Sequence, residues 1–141
     1  MNTVNIDDQN FISTETYQNF MRNNPEYGYL RIRAYAASQA VPISGLKVVV
    51  SKIIDNTKVI FFEGETDSSG MIREISLPAP RKNTDNLETP QFTTYRINAT
   101  YSPDNMSSVY NVNIYDDIIV VQSIVVVPDM NLMNRSDYYG Y

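Results

Sequence analysis

Tyr29-Leu30-Arg31-Ile32-Arg33-Ala34-Tyr35 alternates without a fault between small or aliphatic side chains and charged or aromatic ones. Successive side chains of an extended strand point to opposite faces. Leu30, Ile32 and Ala34 therefore fall on one side, and Tyr29, Arg31, Arg33 and Tyr35 on the other. Strict alternation of this kind marks a strand with one buried and one wet face.

The same period continues downstream. Pro42 to Gly45 reads as a turn, after which Leu46, Val48 and Val50 begin a second strand. Asn56-Thr57 turns the chain into Val59 to Thr66, rich in β-branched and aromatic residues. Asp67-Ser68-Ser69-Gly70 is a turn cluster in which Gly70 is free to take positive φ. Met71 to Leu77 follows with Ile75 and Leu77 inward, and Pro78-Ala79-Pro80 is expected to halt it. Arg81 to Gln91 is a polar loop. Phe92 to Tyr101 then places Tyr95, Ile97 and Ala99 on one face. Ser102-Pro103-Asp104-Asn105 leads into Val109 to Tyr115, and Asp116-Asp117 into Ile118 to Val127. These seven strands leave no room for a crossover helix. The layout predicts an all-β fold, a seven-stranded antiparallel β-sandwich spanning residues 27–128.

Residues 1–26 form a polar extension. Ser13 or Thr14 can cap a short helix running to Arg22, with Ile12, Tyr17, Phe20 and Met21 on one side and Asn23-Asn24-Pro25 as its stop. So short a helix does not hold alone and is expected to cover an edge of the domain, with docking onto a partner as the alternative. Residues 129–141 lose periodicity and form a tyrosine-rich tail expected to be mobile.

Composition closes several functional classes. The 141 residues include no Cys and no His, so there is no thiolate nucleophile, no Ser-His-Asp triad and no histidine metal site. Eleven Lys and Arg against sixteen Asp and Glu give a net charge of -5, which opposes binding to nucleic acid or anionic lipid. The start, Met1 to Asp8, lacks the basic and apolar pattern of a secretory signal. The most apolar run, Ile118 to Val127, is about half the length of a membrane helix. Cytoplasmic synthesis without membrane insertion is the expectation.

Three stretches combine into a pattern. Val41-Pro42-Ile43-Ser44-Gly45-Leu46-Lys47-Val48 follows the first strand. Gly64-Glu65-Thr66-Asp67-Ser68-Ser69-Gly70 leads to Ile75-Ser76-Leu77-Pro78-Ala79-Pro80, and Tyr95-Arg96-Ile97-Asn98-Ala99 supplies a later strand. Together they resemble the carboxypeptidase regulatory-like domain, a transthyretin-type (prealbumin-like) sandwich. The Leu-Pro-Ala-Pro variant is most similar to N-terminal domains of clostridial spore cortex-lytic proteins. The resemblance implies a place in a spore- or cell-envelope-associated complex. An accessory domain of a peptidoglycan hydrolase and a component of a coat or phage-like particle are the alternatives. Active relatives are not matched residue by residue. Hydroxyisourate hydrolases of this fold use histidines and a Tyr-Arg-Gly-Ser terminus, where this chain ends Tyr138-Tyr139-Gly140-Tyr141. The iron site of intradiol dioxygenases needs two histidines that are equally missing.

The best recognition candidate is the outer stripe Tyr29, Arg31, Arg33 and Tyr35. Two rings beside two guanidinium groups can stack on sugars or grip acidic peptide groups. The plainer account pairs Arg31 and Arg33 with Glu63 or Glu65 across strands. Tyr138, Tyr139 and Tyr141 are a second candidate, a tail that docks on a partner or another copy. Glu63 with Glu65, and Asp116 with Asp117, read as solvated carboxylates rather than an acid–base pair. Asp67-Ser68-Ser69 lacks the spaced carboxylates of a calcium loop. The expectation is a non-catalytic binding or assembly module without cofactor or metal. Its partner would be a protein or a second copy, with carbohydrate or peptidoglycan as the other ligand class.

Overall fold

The structure, a computed structural model, describes residues 1–37, 41–83 and 91–127. The alternating stretch lies inside strand β2 (Glu26–Ala36), where Leu30, Ile32 and Ala34 are buried. Strands β3 (Lys47–Ile54), β4 (Thr57–Glu65), β5 (Met71–Ala79), β6 (Thr93–Tyr101), β7 (Met106–Ile114) and β8 (Ile119–Val126) follow where the periodicity predicts them. Three further elements precede them: β1 (Asn2–Asn5), α1 (Gln9–Ile12) and α2 (Glu15–Asn23).

The chain forms the expected all-β sandwich. One sheet runs β1-β4-β3-β6-β7 and the other β5-β2-β8. The inward rows read from the sequence meet between them: Leu46, Val48, Val50, Ile75, Leu77, Tyr95, Ile97 and Ala99 are all buried. Two pairings, β1 with β4 and β2 with β8, are parallel rather than antiparallel. No hairpin joins either pair, so nothing local dictates their direction. β8 reaches β2 from β7 of the opposite sheet and takes the direction that this crossing leaves it. A further difference lies in β5, which runs through Pro78 to Ala79 instead of halting at Leu77. β5 is an edge strand, and an edge tolerates a residue without an N–H.

The N-terminal helix packs on its own domain. Thr14 is the N-cap of α2, its side chain accepting the Tyr17 N–H, and Phe20 is buried in the core. The larger sheet has two strands more than the smaller one, and α2 packs against its strand β4 through Phe20 and Phe61. A register shift between β3 and β4 at Val50/Ser51 lets both Phe61 and Phe62 of β4 pack against the core. The Phe61 ring then touches Phe20 of α2 (centroids 5.7 Å apart) and Tyr95 of β6 (5.0 Å). The Tyr95 hydroxyl donates to the Pro78 carbonyl, tying the two sheets together, and burial raises its pKa above the usual phenol range.

The Thr-Asp-x-x-Gly motif works as a corner. The buried Thr66 hydroxyl accepts the Leu46 N–H (3.0 Å) and donates to the Ile43 carbonyl (2.6 Å). The Asp67 carboxylate accepts the N–H groups of Ser69 (2.8 Å) and Met71 (3.0 Å). The Met71 bond is the main reason its pKa lies below the ordinary carboxylate value. Thr66→Val keeps the shape but leaves a buried N–H and a carbonyl without this partner, so it should cost about 1–3 kcal/mol of unfolding free energy. Urea denaturation of the two proteins measures this directly; an unchanged midpoint would remove the corner's assigned role.

Candidate functional site

β2 is the central strand of the smaller sheet, so its outward residues form the middle row of an open face. Tyr29, Arg31, Arg33 and Tyr35 all lie on that row, Arg33 exposed and the others half-buried. The structure therefore brings the four sequence candidates together as one stripe. The expected ion pairs do not form. Glu63 and Glu65 sit on β4 in the other sheet, exposed to solvent, and cannot reach Arg31 or Arg33 as cross-strand neighbours. Arg31 Nε instead donates to the Arg73 carbonyl (3.0 Å), and the Arg33 guanidinium lies 5.3 Å from the Tyr35 ring centroid. Among the described residues the ion pairs are Arg73–Asp67 and Arg81–Glu26, and neither involves the stripe. Two guanidinium groups on a chain of net charge -5 thus face outward without a carboxylate partner among the described residues.

The row beside the stripe was not singled out from the sequence. β8 pairs with β2 in the register Tyr29–Ile119, Arg31–Val121, Arg33–Ser123 and Tyr35–Val125. Its outward side chains are consequently Ile119, Val121, Ser123 and Val125. Ile119 and Val121 are 54% and 53% exposed, and Val127, just past the strand, 60%. The inward residues Ile124 and Val126 are buried. A run apolar at both parities reads as a strand buried on both faces. Here only one face is covered, and the surplus apolar side chains are the signal that could have exposed the row. On the other flank, Ser76 lies beside Tyr29 and Met71 beside Arg33.

The remaining candidates lie elsewhere. Asp116 accepts the Lys82 N–H (3.1 Å), and Asp117, at φ +57°, donates its N–H to the Tyr27 carbonyl (2.9 Å). With Glu26, Tyr27, Tyr29 and Lys82 these aspartates line an open cleft of about 390 Å³ at the Tyr29 end of the stripe. A larger cleft, about 470 Å³, opens at the other sheet and includes Lys52, Lys58 and Arg96 in its lining. Burial lowers the Lys52 pKa there. Among the described residues no three Asp, Glu, His or Cys side chains converge as a metal site would need, and no helix is long and apolar enough to cross a membrane. Tyr138, Tyr139 and Tyr141 lie outside the described residues.

No family model matches the chain, and no curated protein matches it. Among solved structures, a 5-hydroxyisourate hydrolase of Klebsiella pneumoniae is similar at 15% identity and a TM-score of 0.49, covering 72% of this chain and 85% of that one.

Proposed function

We propose that this chain is a non-catalytic binding and assembly module whose contact surface is the outer face of the β5-β2-β8 sheet. The observation that carries this reading is the stripe of Tyr29, Arg31, Arg33 and Tyr35, whose guanidinium groups have no carboxylate among the described residues, set beside an exposed aliphatic row. Rings, positive charge and dehydratable aliphatic area on one flat face suit a protein surface carrying carboxylates or the sugar and peptide of an envelope polymer. The motif resemblance supports a spore- or envelope-associated setting for such a module, with peptidoglycan as the polymer.

The test replaces Tyr29, Arg31, Arg33 and Tyr35 together by Ser. The four side chains point away from the core, so the melting temperature should move by no more than about 5 °C. Retention of purified peptidoglycan fragments or of a Glu-rich model peptide on the immobilised protein should fall at least about tenfold, as expected when several contact residues of one surface are lost. Equal retention by both proteins, or none by either, would refute the assignment of this face.

A further inference from the structure

Four edges terminate the two sheets, and they differ. β1 is four residues long and polar. β5 carries Arg73, Glu74, Pro78 and a register irregularity, all features that discourage strand addition. The exposed side of β7 carries Ser107, Asn111 and Asn113 around a single aliphatic residue, Val109. β8 has none of these protections: Ile118 to Val127 contains no charge and no proline, and its outward row is aliphatic apart from Ser123. A long, apolar, uncharged edge is a template for pairing with another strand.

The hydrogen-bond phase of β8 shows what this edge, unpaired among the described residues, offers. The Tyr29 N–H donates to the Ile118 carbonyl (2.9 Å) and the Ala37 N–H to the Val126 carbonyl (3.2 Å). In a parallel ladder this assigns the even-numbered residues of β8 to β2. The N–H and C=O groups of Ile119, Val121, Ser123, Val125 and Val127 therefore point away from β2; the Ser123 carbonyl accepts the Gln122 side-chain amide (3.0 Å), a bond that a partner strand would replace. They belong to the same residues whose side chains form the exposed row.

The sequence around Ser123 is close to a palindrome in apolar character: Ile119-Val120-Val121-Gln122-Ser123-Ile124-Val125-Val126-Val127. A two-fold axis at Ser123 places Ser123 opposite Ser123, Val121 opposite Val125, and Ile119 opposite Val127. Each is a hydrogen-bonded antiparallel pair by the phase just derived. Every outward aliphatic side chain meets another, and no like charges are brought together along the strand. Such self-complementarity is what a two-fold interface requires, since the same patch must serve both copies.

We propose that a second copy of this chain occupies the β8 edge, antiparallel about Ser123, joining two small sheets into one continuous sheet. This rests on the reading of that sheet as the contact surface and names its partner. The stripes of the two copies then lie on one extended face.

Because the chain contains no cysteine, engineered thiols report the register cleanly. Cα atoms of a hydrogen-bonded antiparallel pair are about 5.5 Å apart, within disulfide reach. Ser123→Cys should oxidise to a covalent dimer. Val121→Cys and Val125→Cys should each stay uncrosslinked alone and cross-link when mixed. At about 100 µM, where a micromolar pair is largely associated, the natural chain should sediment as a dimer. The double variant Val121→Lys/Val125→Lys should sediment as a monomer with its melting temperature, measured at high dilution, unchanged. A monomeric natural chain overturns the pairing, and slow β8 amide exchange in that monomer would place another segment of the chain on the edge. A dimer that resists both thiol tests also overturns it, because the copies then meet elsewhere. The contact face itself is judged separately, by the retention of peptidoglycan fragments and of the Glu-rich peptide.

Discussion

Ile97→Asp is expected to leave a chain without a cooperative thermal transition. Ile97 is 0% exposed at the centre of β6, paired with Val50 of β3 and Tyr110 of β7. A carboxylate there has no cation opposite it, because the inner faces are lined by aliphatic and aromatic groups. Losing the buried side chain and burying an unpaired charge together should cost about 4 kcal/mol or more. Domains of this size have about 5–15 kcal/mol in total, so little or no folded protein would remain. Ile97→Val is the control, with an expected loss of about 1 kcal/mol. Circular dichroism melts of the two variants decide the matter. A soluble Ile97→Asp protein that melts cooperatively would mean that Ile97 does not lie between the sheets.

That prediction was available from the sequence, and the reason is physical. Alternation at a period of two is imposed by backbone geometry alone, so Leu30, Val48, Ile75 and Ile97 announce their side of the sheet without reference to any partner. The Thr66–Gly70 corner was equally legible, because its side-chain bonds close within a few residues or to the neighbouring turn. The cap at Thr14 belongs to the same local class. What stayed hidden depends on contacts between distant segments. The parallel direction of β8 on β2 follows from a crossing between sheets. β1 is too short and polar to show a pattern, and only the edge of β4 gives it a place. Phe61 and Phe62 break the period because a register shift lets both reach the core. For the candidate site, the stripe of Tyr29, Arg31, Arg33 and Tyr35 was readable as one face. Whether Glu63 and Glu65 opposed it was not, since that depends on which strands share a sheet. The exposed row of β8 stayed hidden for the same reason.

Gly28 is the sharpest instance of a constraint invisible in the sequence, and its substitution should have the second largest effect. It lies inside β2, between Tyr27 and Tyr29 and opposite Leu77 of β5, and nothing in its sequence neighbours calls for glycine. In the fold β2 passes close against the end of β7. A Cβ added to Gly28 would stand 2.1 Å from the Tyr115 carbonyl oxygen and 2.6 Å from Ile114 Cγ2. A backbone oxygen cannot rotate aside, so β2 or the β7–β8 connection must move. On either side of Gly28, the Tyr27 carbonyl accepts the Asp117 N–H and the Tyr29 N–H reaches the Ile118 carbonyl. Those two bonds set where β8 begins along β2. Gly28→Val should therefore cost about 3 kcal/mol or more, at the upper end of overpacking penalties. It should also speed amide exchange at Tyr29 and Asp117 ahead of global unfolding. Gly45→Ala separates collision from conformation. Gly45 sits at φ +79° with no atom within 4 Å of its would-be Cβ, so only backbone strain opposes the change, at about 1 kcal/mol. If urea midpoints rank the two substitutions the other way round, the close approach of β2 to Tyr115 is wrong. The register of β8 on β2, from which the outward row and its free hydrogen-bonding groups were derived, would then fall with it.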